Sequence, residues 1–353
     1  VKRWHVNCEY NLIGEKNEGK NKEMIKHVLY PPAFSKVIRE IGDILKCNRS
    51  FFVCGHVRPD GDCIGSLLAF YFLLKNMGKQ VRLYNAGPIP KYFLLFPGAD
   101  KIETEFDRHY TCDVCVYVDC GSQDRVIEDA RPCGFLINID HHKSNGAFGD
   151  INYIDPEATA VGEQIYHIIT AMQEPITPEI ASSIYLSILS DTGGFRFSNT
   201  DNITFAVASE MVKCGANVSR IAEILYENRT PESISIKGPV LANLHYECGG
   251  RLVWSEILQD IYEKYGEENE PESLVGEMRA IAGVEMSILF HELKEGGMRA
   301  GLRSRGSLDV SVIAAQMGGG GHTNASGCYV KGAYDSLRDR LLSLATQFIM
   351  EKK

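Results

Sequence analysis

Residues 50–62 read S-F-F-V-C-G-H-V-R-P-D-G-D. A short apolar run reads as a buried strand. It ends at His56, and a Gly/Pro-rich loop then carries two carboxylates, Asp60 and Asp62. Residues Ile64 to Met77 follow with a helical pattern closed by Gly78. The same event recurs downstream. Val114–Val118 is an apolar run ending at Asp119, and Phe135–Ile139 is another, ending at Asp140-His141-His142. Residues 81–84 (VRLY) read as a further strand, and helical periodicity covers 33–46, 160–172, 178–190, 203–214 and 218–228. Strands alternating with helices predict an α/β fold with a parallel sheet and helices on both faces. Ligands in such folds bind beyond the carboxyl ends of the strands, where these Asp and His residues fall.

The second half has a different rhythm. Gly215, Pro231, Gly238 and Pro239 punctuate residues 215–240, and 216–240 read as an interdomain linker. After it, 244–257 reads as two strands joined around Gly249-Gly250, and 283–293 and 298–305 read as strands. A short helix over 309–317 precedes the glycine run Gly318–Gly321. The expected organisation is a tail over 1–32, a catalytic α/β domain over 33–215, the linker, and a smaller mixed α/β domain over 241–353 across a cleft. Within the tail, Met24 is the expected natural start.

Composition sets the function classes. The chain has 353 residues, 44% hydrophobic and 24% charged, which is ordinary for a globular protein and fits about two domains. The longest apolar stretch, Ile64 to Leu74, is too short to span a bilayer. With 37 basic and 46 acidic residues the net charge is −9, which disfavours a protein that holds long duplex DNA by its phosphates. A cytoplasmic location is expected. The 11 cysteines are an odd number, and cytosolic thiols are mostly reduced, so they read as small buried hydrophobes. Cys112 and Cys115 form a C-x-x-C with no second pair at zinc-site spacing.

Taken singly, each polar motif has an ordinary explanation. Asp, Gly and Pro are turn residues, and a strand-ending Asp often caps a helix. A fourth motif, Ser190-Asp191-Thr192-Gly193-Gly194-Phe195, also fits a plain helix end except for Asp191. Together they call for a different reading, because so many carboxylates in one place offset each other's repulsion only by binding cations. A set of Asp and His without thiolates suits hard or borderline divalent ions: two ions, with Mn²⁺ preferred and Mg²⁺ or Co²⁺ as substitutes. Two ions about 3.5–4 Å apart can activate a water and clamp a phosphoryl oxygen.

The ordered set GHVRPDGD (55–62), VDCGS (118–122), DHH (140–142) and SDTGGF (190–195) resembles the motifs of the DHH phosphoesterase family. GGGGHTNASG (318–327) resembles the signature of its DHHA1 partner domain, and the resemblance runs over about residues 33–345. It is most similar to the branch of bifunctional oligoribonucleases and pAp phosphatases. The resemblance implies that His56, Asp60 and Asp119 hold one metal and that Asp62, Asp119, His141 and Asp191 hold the other. It implies that Asp140 orients the histidines and that His142 faces the substrate phosphate. It places substrate on Arg303, Gly319, Gly320, Gly321, His322, Asn324 and Ser326, while Arg299 and Arg305 read by default as surface arginines. The implied partners are short single-stranded RNA and small nucleotides such as pAp, with no membrane, and a homodimer. One departure is Ser122, where the family often has Asp; the bridging Asp119 is kept. Readings that remain open are a phosphodiesterase for cyclic or linear dinucleotides such as pApA, a single-strand DNA exonuclease, a pyrophosphatase, and a non-catalytic nucleotide-binding regulator.

Overall fold

The computed structural model describes residues 32–123, 126, 132–266 and 274–351. The expectation for Met24 lies outside them. The first half builds helix α1 (Ser35–Cys47), strand β1 (Ser50–Gly55), α2 (Gly61–Asn76), β2 (Gln80–Asn85), β3 (Ile102–Glu103), β4 (Val114–Val118), β5 (Leu136–Asp140) and β6 (Ile151–Ile154). Helices α3 (Val161–Met172), α4 (Pro178–Asp191) and α5 (Asn202–Lys213) complete it. The sheet order is β3-β2-β1-β4-β5-β6, and every pairing is parallel. The order reverses between β1 and β4, and the carboxyl ends of strands at such a switch point frame a crevice. That crevice receives His56 from β1 and Asp119 from β4, with Asp140 at the end of the neighbouring β5.

Alternating side chains divide the sheet faces. Phe51 and Val53 of β1 join Val116, Ile137 and Ile139 in a core shared with α1–α5. Phe52 and Cys54 point the other way, into a cluster with Tyr84, Tyr117, Phe106, Tyr110 and Phe148. Helices α2 and α4 pack backbone to backbone. A Cβ on Gly65 would lie 2.5 Å from the Ser183 carbonyl, and one on Gly61 would lie 2.5 Å from Ser190. Only glycine permits that approach. Because the pair is antiparallel, the start of α2 meets the end of α4, which brings Asp62 toward Asp191.

Residues 216–240 are more ordered than a linker pattern implies. They contain α6 (Val218–Ala222), a π-helical turn (Glu223–Glu227), α7 (Pro231–Ser235) and the start of α8 (Lys237–Ala242). Ile221, Ile224 and Leu225 pack in the first core, whereas Ile236 and Val240 pack with Val253, Ile257 and Leu289 of the second half.

The second half contains β7 (His245–Glu247), β8 (Leu252–Ile257), α9 (Gln259–Tyr265), α10 (Leu274–Arg279), β9 (Met286–Glu292) and β10 (Met298–Ser304). It continues through α11 (Val310–Gln316), β11 (Gly320–His322), β12 (Ala325–Val330) and α12 (Tyr334–Glu351). The sheet order is β11-β12-β10-β9-β8-β7, with β8–β9 parallel and the other pairs antiparallel. Leu341, Ala345 and Ile349, spaced four apart, make the stripe by which α12 covers this sheet.

One cysteine expectation is corrected. Cys115, on β4, is disulfide-paired with Cys133, with Cα atoms 6.0 Å apart. The partners are 18 residues apart in sequence, and only the parallel pairing of β4 with β5 brings them together. No helix among the described residues is long and apolar enough to cross a membrane.

Candidate metal centre

The backbone aims the first-motif side chains. Asp60 is the N-cap of α2: its Oδ1 accepts from the N–H groups of Asp62 (3.0 Å) and Cys63 (3.1 Å). That bond pattern satisfies orphan donors of the first turn and fixes where Asp62 projects. Asp62 is 1% exposed. Its Oδ1 accepts from Ser187 Oγ at 2.5 Å and Ser66 Oγ at 3.1 Å, and its Oδ2 accepts from Val161 N at 2.9 Å. Asp119 is buried and holds φ at +54°, a left-handed conformation uncommon for a non-glycine residue. Its N–H donates to Ile139 O at 3.0 Å, which keeps it tied to β5. Backbone strain of this kind collects at functional sites.

The histidine ring geometry shows what the site is built to receive. His56 Nδ1 lies 2.7 Å from Val57 O, and His141 Nδ1 lies 3.1 Å from Ala158 O. A carbonyl only accepts, so Nδ1 carries the proton in each ring. The Nε2 lone pair of His56 then faces Asp119 Oδ2 at 3.2 Å. His141 Nε2 faces Asp62, Asp119 and Asp191 at 3.6, 3.8 and 3.9 Å. Those distances exceed hydrogen-bond length, yet they suit ligand atoms disposed about a cation. Asp62, His141 and Asp191 form one candidate ligand group, Asp119, His141 and His142 a second, and His56, Cys63 and Asp119 a third. Asp119 belongs to two of them, so its carboxylate is shared between neighbouring ligand groups.

Electrostatics point the same way. Burial pushes the Asp119 carboxyl well above its usual range, and the charges of Asp62 and Asp60 add to the rise. Burial lifts Asp191 to about 7, with Asp62 and Asp60 acting in the same direction and His141 opposing. Burial works against a charged His141, but Asp191, Asp62 and Asp119 outweigh it and drive the ring up to about 10. Without a cation this pocket holds protons. Divalent cations can replace them, and the donor set fits a pair of such ions.

His142 is held differently. Its Nδ1 lies 2.7 Å from Asp140 Oδ1. Asp140 Oδ2 accepts from Asn145 Nδ2 at 2.6 Å, and Asn145 also reaches Asn138 Oδ1 at 2.8 Å. Burial would raise Asp140, but the bonds from His142 and Asn145 prevail and hold it below the usual carboxylate range. The sequence expectation has Asp140 orienting both histidines; the bond to His142 is direct, and His141 is fixed by Ala158 O. Ser66, Ser187, Asn138, Asn145 and Cys63 carry no motif that marks them as site residues. Cys63, Asn138, Asn145 and Ser187 lie within three residues of a motif, but their residue types give no sign of a role.

The C-terminal residues divide. Gly320–His322 is an edge strand paired with β12 rather than an open loop. A Cβ on Gly319 would lie 2.1 Å from Gly327 O, and one on Gly321 would lie 2.6 Å from Ala325 O. The close pairing of β11 with β12 therefore already requires these glycines. Asn324 Nδ2 donates to Ser304 Oγ at 2.8 Å and Gly306 O at 3.1 Å, which ties the β11–β12 turn to the end of β10. Ser326 is buried on β12, and the His322 side chain lies outside the described residues. Arg303 and Arg299 alternate on β10 with buried Met298, Ala300 and Leu302, so both project from the opposite face. The guanidinium of Arg58, in the first motif, lies 5.7 Å from the ring centre of Tyr329 on β12. This contact carries the second sheet to the mouth of the metal pocket.

Comparison with known proteins agrees with these features. Residues 50–188 match the DHH family, N-terminal domain, and residues 254–351 match the DHHA1 domain. The bifunctional oligoribonuclease and PAP phosphatase NrnA of Thermus thermophilus is 31% identical over 313 residues, covering 88% of this chain and 94% of that protein. The Bacillus subtilis protein of the same name is 30% identical, covering 78% and 87%. Among solved structures, an exopolyphosphatase-related protein from Bacteroides fragilis superposes with a TM-score of 0.81 at 25% identity, over 90% of this chain and 98% of that one. With both domains matched in order and a relative alike along nearly its full length, the chain belongs to the DHH family of phosphoesterases.

Proposed function

We propose that the protein is a two-metal phosphoesterase that hydrolyses oligoribonucleotides of about two to five residues to 5′-mononucleotides, and pAp to AMP. The observation that carries the reading is the convergence of Asp62, Asp119 and Asp191 on His141 Nε2, with His56 on the far side of Asp119. His56, Asp60 and Asp119 would hold one ion and Asp62, Asp119, His141 and Asp191 the other, with Mn²⁺ the preferred metal. Bound there, such ions polarise a phosphoryl oxygen and lower the pKa of water.

The chain's own residues supply the rest. Asp140, kept ionised, accepts from His142 Nδ1 and so directs His142 Nε2 toward the substrate. A proton on Nε2 can pass to the departing oxygen. In both proposed reactions the bond broken joins phosphorus to a ribose 3′ oxygen. Water supplies the new P–O bond, and the 3′ oxygen leaves with a proton. One centre therefore serves both substrates. The names of the Thermus and Bacillus relatives, which pair the two activities, support the reading. Arg303, Gly319–Gly321, His322, Asn324 and Ser326 are proposed to face the substrate end distal to the metals. A cytosolic location and a homodimer complete the reading.

The test is mononucleotide release from a labelled RNA ladder of two to 24 residues with Mn²⁺, beside phosphate release from pAp. Asp119→Ala is the inactive control. Strong activity on the shortest RNAs and on pAp supports the proposal. Activity that rises with length indicates a processive exonuclease, and hydrolysis of neither substrate by metal-loaded protein overturns the proposal.

A further inference from the structure

Beyond the metal pocket, three arginines from both halves of the chain lie close together, one of them against a phenylalanine ring. Arg196 follows the Gly193-Gly194 turn that leaves Asp191, and its Nε donates to Gly193 O at 2.5 Å. Arg279, the last residue of α10, lies with its guanidinium carbon 5.2 Å from the Phe197 ring centre. Its Nη1 donates to Ser304 O at 2.8 Å, and Arg305 Nη2 donates to Arg279 O at 2.7 Å. These bonds run to neutral carbonyls, so they orient the guanidinium groups without neutralising them. Burial, Arg305 and Arg196 all disfavour the charged form of Arg279, and no carboxylate among the described residues counters them. Each guanidinium has five N–H donors, and these bonds to carbonyls use one apiece. Folding has thus brought three like charges together, held by aromatic and backbone contacts.

We propose that Arg196, Arg279 and Arg305 form a phosphate subsite that takes an internucleotide phosphate of a short RNA chain, one or more nucleotides from the phosphate at the metals. The guanidinium fork matches phosphate oxygens. Arg196 is five residues from Asp191, a span of at most about 18 Å even if extended, so one short oligonucleotide can touch both places. A nucleotide such as pAp has no internucleotide phosphate to place there. The cluster would therefore favour oligonucleotides over pAp. This inference rests on the phosphoesterase reading above.

The experiment compares steady-state kinetics of the Mn²⁺-loaded full chain on a five-residue RNA and on pAp, for wild type, Arg196→Ala, Arg305→Ala and the double variant. Removing charge-assisted bonds predicts a KM for the five-residue RNA raised roughly 10-fold or more in the double variant, with kcat kept and pAp kinetics within about twofold. The slope of log kcat/KM against log salt for the RNA should become shallower by about 0.7 for each phosphate that the variant no longer neutralises. Arg279→Lys, which keeps the charge and the packing against Phe197 but not the fork, should give an intermediate KM. Equal losses on both substrates, or unchanged RNA kinetics in active variants, would overturn the subsite while leaving the phosphoesterase reading intact. A wild-type protein that hydrolyses neither substrate would overturn both.

Discussion

Ser187 makes no direct claim on a metal, yet its removal should weaken metal binding. Its Oγ donates to Asp62 Oδ1 at 2.5 Å and accepts from Gly162 N at 2.9 Å, in a buried position on α4. Ser187→Ala removes one of three donors that orient Asp62 and leaves the Gly162 N–H without that acceptor. A hydrogen bond to a charged group contributes about 1.5–3 kcal/mol, and loss of a group that orients a ligand typically costs 10–100-fold in metal affinity. The two figures agree, since tenfold is about 1.4 kcal/mol. The predicted outcome is a Mn²⁺ dissociation constant raised 10–100-fold, read by competition with a chelating dye, together with a lower melting temperature of the metal-free protein. Ser183→Ala is the control: it lies one turn away on α4 and donates to Glu179 O, so it should lower stability slightly and leave Mn²⁺ affinity alone. If Ser187→Ala is destabilised but binds Mn²⁺ within twofold of wild type, Ser187 is packing only and its assigned role in orienting Asp62 is wrong.

Other consequences are equally concrete. Asn145→Ala should lower kcat at least roughly tenfold, a part of the roughly 10²–10⁴-fold that general acid–base catalysis contributes, with Mn²⁺ affinity kept, because Asn145 bonds Asp140 and not the ligand cluster; dye competition and initial rates together separate the two. Burial lifts Glu163 from 4.5 to about 7. A raised carboxylate contributes stability that is present below its unfolded value and is lost as pH climbs through its folded value. Glu163→Gln should therefore gain melting temperature relative to wild type between pH 5 and pH 8, by an equivalent of at most ~3 kcal/mol at 1.36 kcal/mol per unit; a difference flat with pH would refute it. Gly319→Ala drives a Cβ to 2.1 Å from Gly327 O, whereas Gly320 has open space around it. Thermal unfolding should show the first variant strongly destabilised and Gly320→Ala near wild type.

The parts of the fold that follow local rules were legible. The run 50–55, the helix after it, and the strands ending at Asp119 and Asp140 carry their own periodicity and end in residues with no packing role. Strands β3 and β6 escaped because two and four residues hold too little pattern to register. Within 216–240 the helical pattern over 218–228 corresponds to α6 and the π-helical turn, whereas α7 and α8 were hidden because they are only five and six residues long. At the site, the ionisable residues were visible because carboxylates and histidines at the ends of buried strands have few bland explanations. Their supports were not. Ser66, Ser187 and Asn145 are ordinary residue types whose importance lies in reaching Asp62 or Asp140, two of them from 4 and 5 residues away and Ser187 from 125 residues away. The glycine run shows the opposite case. Its residues were found, but the reason for Gly319 and Gly321 is the β11–β12 pairing, a constraint that a single sequence does not display.

Everything proposed for the chemistry depends on Asp119 bridging two divalent ions, with His56 and Asp60 on one side and Asp62, His141 and Asp191 on the other. Anomalous diffraction from crystals grown with Mn²⁺ decides whether it does. Two peaks about 3.5–4 Å apart are expected, both within bonding distance of Asp119, and the pair should vanish in Asp119→Ala. A single ion, or two ions that do not share Asp119, would contradict the bridged centre.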